Sequence, residues 1–260
     1  MKLNKRFMIS LKGIVKNKKI ITAFFFTYLL CCFFVTGSSI KLLAIDKVEY
    51  FKNKFGNKCA NEKITDNFGN GYDSLYGTRN LRTILHGIAY RGGANNFYHK
   101  NHKRDNHNPL PEDGLKNLSN QGFSSAVYLY GTNFSIAQKF AISESTNDTL
   151  NYFQIGGNNK KELRRIMLMV KDVINNPEKG PIYFHCWNGW HQSGYISAAI
   201  LMQFCRLTNG QAYQYWLDNT DGVNKGYENV KKLVKNFVPF EDITIDNSIK
   251  EKICPCIKSK

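Results

Sequence analysis

A short apolar run, Pro181 to Phe184, leads through Phe184-His185-Cys186-Trp187-Asn188-Gly189-Trp190-His191-Gln192-Ser193-Gly194 into a buried-helix pattern from Ser193 to Leu207. No other stretch constrains the chain as strongly. A strand that turns through a tight loop directly into a helix aims backbone N–H groups into the turn. The helix N-terminus adds partial positive charge, so the turn is a site for an anion. The same field favours the thiolate of a cysteine at the loop entrance, and Cys186 stands there. Gly189 gives the loop a conformation or close approach that a side chain would obstruct. Ser193 is placed for its hydroxyl to bond the thiolate, and Gly194 allows close packing where the helix begins. The ordinary alternative for Cys186 is an inert buried thiol, since free cysteine is commonly buried.

The apolar and aromatic content of Pro181 to Phe184 fits a central parallel strand, and the rest of the chain alternates around it. Thr83 to Arg91 reads as a short strand running into a turn at Gly92-Gly93. Residues 95–111, with several Asn, His and Lys and two Pro, read as a loop. Pro111 to Leu118 reads as a short helix, and Ala126 to Tyr130 and Tyr152 to Ile155 read as strands. Lys160 to Asn175 is a helix whose Leu163, Ile166, Met167, Val170, Val173 and Ile174 fall on one face. Tyr213 to Leu217 and Tyr227 to Phe237 read as further helices. This alternation predicts an α/β layer fold, a mainly parallel sheet flanked by helices. The domain is placed at residues 81–240, after a linker or lead-in at 46–80 with little periodicity. A polar tail at 241–260 carries Cys254-Pro255-Cys256.

The first 45 residues have a different character. Seven Lys and Arg and no acid occupy the first 19 residues, and Ile20 to Gly37 is an uncharged run of 18. That order matches a secretory signal peptide, with Val35-Thr36-Gly37 permitting cleavage before Ser38. The run is also near the minimum for a spanning helix, so an uncleaved anchor is the equal alternative. Either way the basic end stays cytoplasmic. The domain is expected in the periplasm or outside the cell, free or anchored in the membrane. Disulfides are permitted there: Cys254 or Cys256 has Cys59 or Cys205 as possible partners, or none.

The net charge is +16, of which +9 remains without the N-terminal basic stretch. Such an excess favours anionic partners. No nucleic-acid motif and no Gly-rich nucleotide fingerprint accompanies it, so nucleic acid is not an expected partner. His99, His102 and His107 share a loop with Asp105 but show no metal-ligand spacing. No metal and no cofactor is implied.

The loop's pattern resembles the cysteine-dependent protein phosphatase superfamily, most closely the compact dual-specificity and atypical tyrosine phosphatases. Their signature is His-Cys, five residues, Arg, then Ser or Thr, then usually Gly, and His185, Cys186, Gly189, Ser193 and Gly194 are in register with it. Tyr90-Arg91-Gly92-Gly93 is similar to the Tyr-Arg-Ser-Gly opening of the atypical branch. Gly114 to Leu118 and Tyr128-Leu129 are similar to the helix and strand that follow there. The likeness spans about Ile84 to Phe237. It implies a compact three-layer phosphatase-like fold and hydrolysis of a phosphate ester through a phosphocysteine. Cys186 would be the nucleophile and His185 would orient the loop. Trp187, Asn188, Gly189, Trp190, Gln192 and Gly194 would surround the phosphate.

Two departures stand against that likeness. The signature Arg, which grips two phosphate oxygens, is Gln192 here. The loop that usually carries an Asp general acid corresponds to Ile155-Gly156-Gly157-Asn158-Asn159, which has no carboxylate, and Glu144 and Asp148 lie out of register. Three readings remain open. An active phosphatase would use substitutes: Arg91 entering from the first loop, and His191 as acid or charge. A pseudophosphatase would bind a phosphorylated or otherwise anionic ligand without turnover. A third possibility is another thiol reaction. Trp187 and Trp190 form either a stacking wall for a ring or packing for the loop. Asn188 either donates to an oxyanion or fits the turn.

Overall fold

The computed structural model describes residues 47–72, 75–94 and 109–258. Strands β1 (Thr78–Leu85), β2 (Ala89–Ala94), β3 (Ser125–Tyr128), β4 (Phe140–Ile142), β5 (Thr149–Gln154) and β6 (Ile182–Cys186) form one sheet in the order β1-β2-β6-β3-β5-β4. The four inner strands β2, β6, β3 and β5 are mutually parallel, while β1 and β4 run antiparallel at the edges. Helices cover both faces, which gives the expected three layers. Helices α1 (residues 47–54) and α2 (Glu112–Asn120) lie over one face. Helices α3 (Lys160–Asn175), α4 (Gln192–Cys205), α5 (Asn209–Asp218), α6 (Glu228–Lys235) and α7 (Asn247–Ile253) share the core of the other.

The period-2 alternation of a strand sorts the core. Phe184 and Val127 pack with α3 and α4, whereas Tyr183, Ala126 and Tyr128 pack with Phe51, Leu115 and Leu118. Helix α3 has the bounds read from the sequence, and its six periodic apolar residues are all buried. Asn159 caps it by accepting from the Glu162 N–H.

Three expectations are corrected. Thr83 to Arg91 is a hairpin and not one strand. The chain reverses at Gly87, where φ is +69° and a Cβ would lie 2.7 Å from the Val48 backbone. Gly92 and Gly93 lie within β2 and form no turn; they are small because Tyr183 Oη and the backbone of Trp187 and Asn188 press against them. The supposed lead-in is packed domain: Phe51 and Phe55 are buried, β1 begins at Thr78, and Cys59 is bonded to Cys256. Strand β4 carries no readable signal in its three residues, and α7 lies in what reads as a polar tail. Cys205–Cys254 is the second disulfide, so both tail cysteines are paired.

The segment 1–45, with its apolar run, and the His99, His102 and His107 loop lie outside the described residues. Among those described, no helix is long and apolar enough to cross a membrane.

Candidate active site

Strand β6 ends at Cys186 and α4 begins at Gln192, so the five intervening residues form a loop at the C-terminal ends of the parallel strands. That is the edge where ligands gather in such sheets. The first-turn N–H groups of α4 have no acceptor inside the helix. Cys186 Sγ lies 3.3 Å from Ser193 Oγ, so a thiolate here accepts a hydrogen bond from the hydroxyl. Cys186 as a residue is 4% exposed, and among the described residues it is the free cysteine.

His185 holds the strand end from the opposite face. Its Nδ1 lies 3.2 Å from the Cys186 carbonyl and its Nε2 lies 2.7 Å from Tyr152 Oη. A carbonyl only accepts, so Nδ1 carries the proton and Nε2 accepts from the phenol. Burial pushes the His185 pKa down to about 3, which keeps the ring neutral. Burial likewise raises Tyr152, which keeps its proton available for that bond. The Leu110 N–H completes the chain by donating to Tyr152 Oη. His185 is therefore an orienting group.

The loop is shaped by close backbone contact. Gly189 has φ +77°, and a Cβ there would lie 2.6 Å from the Gly92 carbonyl carbon. The Trp187 carbonyl accepts from the Ala94 N–H, and Asn188 bridges to Gly93. Asn80 Nδ2 donates to the carbonyls of Asn188 and Gly189 at 3.1 and 3.2 Å. Gly194 is hemmed in by Trp216 and by Arg91 Nη1.

The two tryptophans part company. Trp187 is half-buried, donates to Tyr128 Oη at 2.9 Å and stacks on Tyr130 at 4.6 Å between centroids. Burial raises the pKa of Tyr130, and the nearby Cys186 adds to this, so its hydroxyl is neutral beside the sulfur. Trp190 is buried and donates to Asp221. Trp187 with Tyr130 thus forms an aromatic wall at the loop, while Trp190 is packing.

The two proposed substitutes are engaged by other protein groups. His191 donates from Nε2 to the Val223 carbonyl and stacks on Tyr227 with centroids 3.5 Å apart. Burial lowers its pKa, so it carries no standing charge. Arg91 does not enter from a loop. It is wholly buried on β2, donates to the Gly189 carbonyl at 2.7 Å and to Tyr215 Oη at 3.1 Å, and so lies beneath the loop. Gln192 donates from Nε2 to the Gly156 carbonyl at 2.8 Å and to Asn158 Oδ1 at 2.6 Å. Both amide protons are engaged, so this side chain has none left for an oxyanion.

Several participants carry no sequence signal. Asn80, with φ +53°, sits where β1 shifts register between Arg79 and Arg82. Asp221 gathers Lys63 and Asn67, the Trp190 N–H and, at 3.7 Å, Arg82. Burial alone would raise its pKa, but these donors and cations hold it below the usual carboxylate value. It is an ionised counter-charge and no proton donor. Asp148 precedes β5 and so lies at the edge of the sheet opposite Cys186.

No family model and no curated protein matches the sequence. Solved structures similar to the chain include the catalytic core of Siw14, at 15% identity over 66% of this chain and 88% of that chain with a TM-score of 0.41. TpbA from P. aeruginosa matches at 11% over 60% and 86% with 0.39, and Tk-PTP in its active form at 15% over 58% and 93% with 0.39. At these identities and TM-scores the likeness carries no residue role, and the roles rest on the contacts described above. With four parallel inner strands, helices on both faces and the cysteine loop leaving β6 to open α4, the chain has a three-layer α/β fold with its free cysteine at a strand–loop–helix turn.

Proposed function

We propose that this chain is an exported cysteine-dependent phosphatase that hydrolyses a phosphate ester. The observation that carries the reading is the Cys186–Ser193 pair at the mouth of a strand–loop–helix turn. The thiolate of Cys186 attacks phosphorus. A sulfur–phosphorus bond forms, and the bond from phosphorus to the ester oxygen breaks. The leaving oxygen departs with the electron pair and takes its proton from solvent. Water then attacks phosphorus, the sulfur–phosphorus bond breaks, inorganic phosphate leaves with the water's oxygen, and a proton passes to solvent; the thiolate returns, its charge stabilised by the Ser193 hydroxyl. The two disulfides support export, because such bonds persist in oxidising compartments. The basic and apolar N-terminal segment serves as signal or membrane anchor.

One observation favours a second reading, a phosphate-binding module without turnover: the engagement of both Gln192 amide protons by Gly156 and Asn158. A panel of aryl and alkyl phosphates assayed with wild type, Cys186→Ser and Gln192→Arg separates the two. Wild-type turnover that Cys186→Ser abolishes is the result expected of the enzyme. No wild-type turnover, with activity gained in Gln192→Arg, would replace it with the silent module.

A further inference from the structure

Beneath the loop, two arginines are cross-strand partners: Arg82 on β1 stands opposite Arg91 on β2. Paired residues share a face of the sheet, and Arg91 in turn stands opposite Phe184, on the face that α4 covers. Both arginines are buried, at 1% and 0% exposure. Arg91 has no ion-pair partner among the described residues, and its Nη2 has no hydrogen-bond partner there. Arg82 Nε is likewise unpartnered, and its Nη1 donates to Asn80 Oδ1.

The nearby acid is Asp221, 3.7 Å from Arg82 Nη2 and shared with Lys63 at 2.8 Å. Arg79 is a further buried cation of β1, and Tyr215 Oη is the neutral group facing Arg91. Buried charge is costly unless paired, and among the described residues this pair has less negative charge facing it than it carries. Burial, and next the proximity of Arg91, push the Arg82 pKa down to about 9. The uncompensated charge lies against the loop. Arg91 Nη1 holds the Gly189 carbonyl and sits 3.6 Å from where a Cβ on Gly194 would be, beside the first turn of α4.

We infer that Arg82 and Arg91 are positioning residues that supply, from beneath the loop, the fixed positive charge that Gln192 does not. They act through the Gly189 carbonyl and the field below the loop and do not touch the anion. The carbonyl drawn down to Arg91 no longer faces a bound oxyanion, and the second guanidinium sets the potential above it. The inference rests on the phosphate reading of the loop.

The test uses the full-length protein and tungstate as a phosphate-shaped oxyanion. Binding is measured by calorimetry, and alkylation of Cys186 by iodoacetamide near pH 6 is followed on its peptide by mass spectrometry. Arg82→Met is expected to weaken tungstate binding and slow alkylation by roughly tenfold each. Asp221→Asn keeps an oxygen for the Trp190 N–H but removes the counter-charge, so it should move both quantities the other way. A merely structural pair would lower the melting temperature in both variants without moving these readouts in opposite directions. A folded Arg82→Met with wild-type affinity and alkylation overturns the inference. If Arg82→Met does not fold, Asp221→Asn decides, and no gain in either readout overturns it. If wild type binds no tungstate, the phosphate reading fails, and alkylation alone decides whether the pair acts on Cys186.

Discussion

Gln192 Nε2 lies 2.6 Å from Asn158 Oδ1, which fastens the first residue of α4 to the loop after β5. With its second proton on the Gly156 carbonyl, the side chain that replaces the signature arginine is a strap between two loops. Gln192→Arg breaks the strap and returns a charged fork to the anion site. The expected result is a rise of about 10²–10³ in kcat/KM on an aryl phosphate. A fall in melting temperature should accompany it, equivalent to roughly 1–3 kcal/mol, because Gly156 and Asn158 lose their donor. An unchanged rate in a folded variant would mean that charge at this position does not limit the reaction.

The loop from Ile155 to Asn159 offers no carboxylate to protonate a leaving oxygen. General acid catalysis typically contributes about 10²–10⁴-fold. The gap between good and poor leaving groups should therefore be wide. Aryl phosphates with acidic phenols should turn over about 10²–10⁴ times faster than alkyl phosphates. Rates across a series of substituted phenyl phosphates would show this directly. A rate independent of phenol acidity would require a proton donor that the loop does not supply.

His185 and His86 link stability to pH. Burial pushes His185 down to about 3 and His86 down to about 4, the latter with a contribution from Lys52. Both values lie below the unfolded value of about 6.5. Over that interval the unfolded chain binds more protons, so stability is present above about pH 6.5 and is lost as pH falls towards 4. Each histidine contributes up to about 1.4 kcal/mol per pH unit. Urea midpoints should fall steadily from pH 7 to 5. His185→Gln should flatten the slope without abolishing it, since His86 and His191 remain depressed. A midpoint that does not vary over that range would mean the rings are not buried as neutral groups.

Where local pattern decides structure, the sequence is readable. Helix α3 follows from its apolar period, and the Cys186–Ser193 pair follows from strand–loop–helix spacing, because a helix N-terminus places a residue at a fixed offset. What is not readable depends on contacts between distant segments. Arg91 looks like a strand-end charge. Its partner, the Gly189 carbonyl, lies 98 positions away and becomes a neighbour only when β2 pairs with β6. Gly92 and Gly93 look like a turn because glycine is favoured both in turns and under close backbone approach, and only packing distinguishes the two. The stretch 47–80 shows little period because its contribution is a few residues, Phe51, Phe55 and Leu75, set among polar ones.

Cys256 bonded to Cys59 and Cys254 bonded to Cys205 tie the end of the chain to two separate places, across 197 and 49 positions. At either end of that short stretch, the Ile253 carbonyl accepts from the His86 N–H and the Cys256 carbonyl accepts from the Ala60 N–H. The tail thereby closes over the β1–β2 turn, and β1 and β2 in turn carry Arg82 and Arg91 beneath the loop. Each cross-link removes freedom from the unfolded chain, and losing one typically costs about 2–5 kcal/mol. Cys256→Ser should lower the urea midpoint accordingly and make residues beyond Ile253 sensitive to protease. It should leave Cys186 alkylation nearly unchanged so long as β1 keeps its register. Non-reducing peptide maps should join the Cys59 peptide to Cys256 and the Cys205 peptide to Cys254. The exchanged pairing, Cys59 with Cys254, would place the tail differently over the turn.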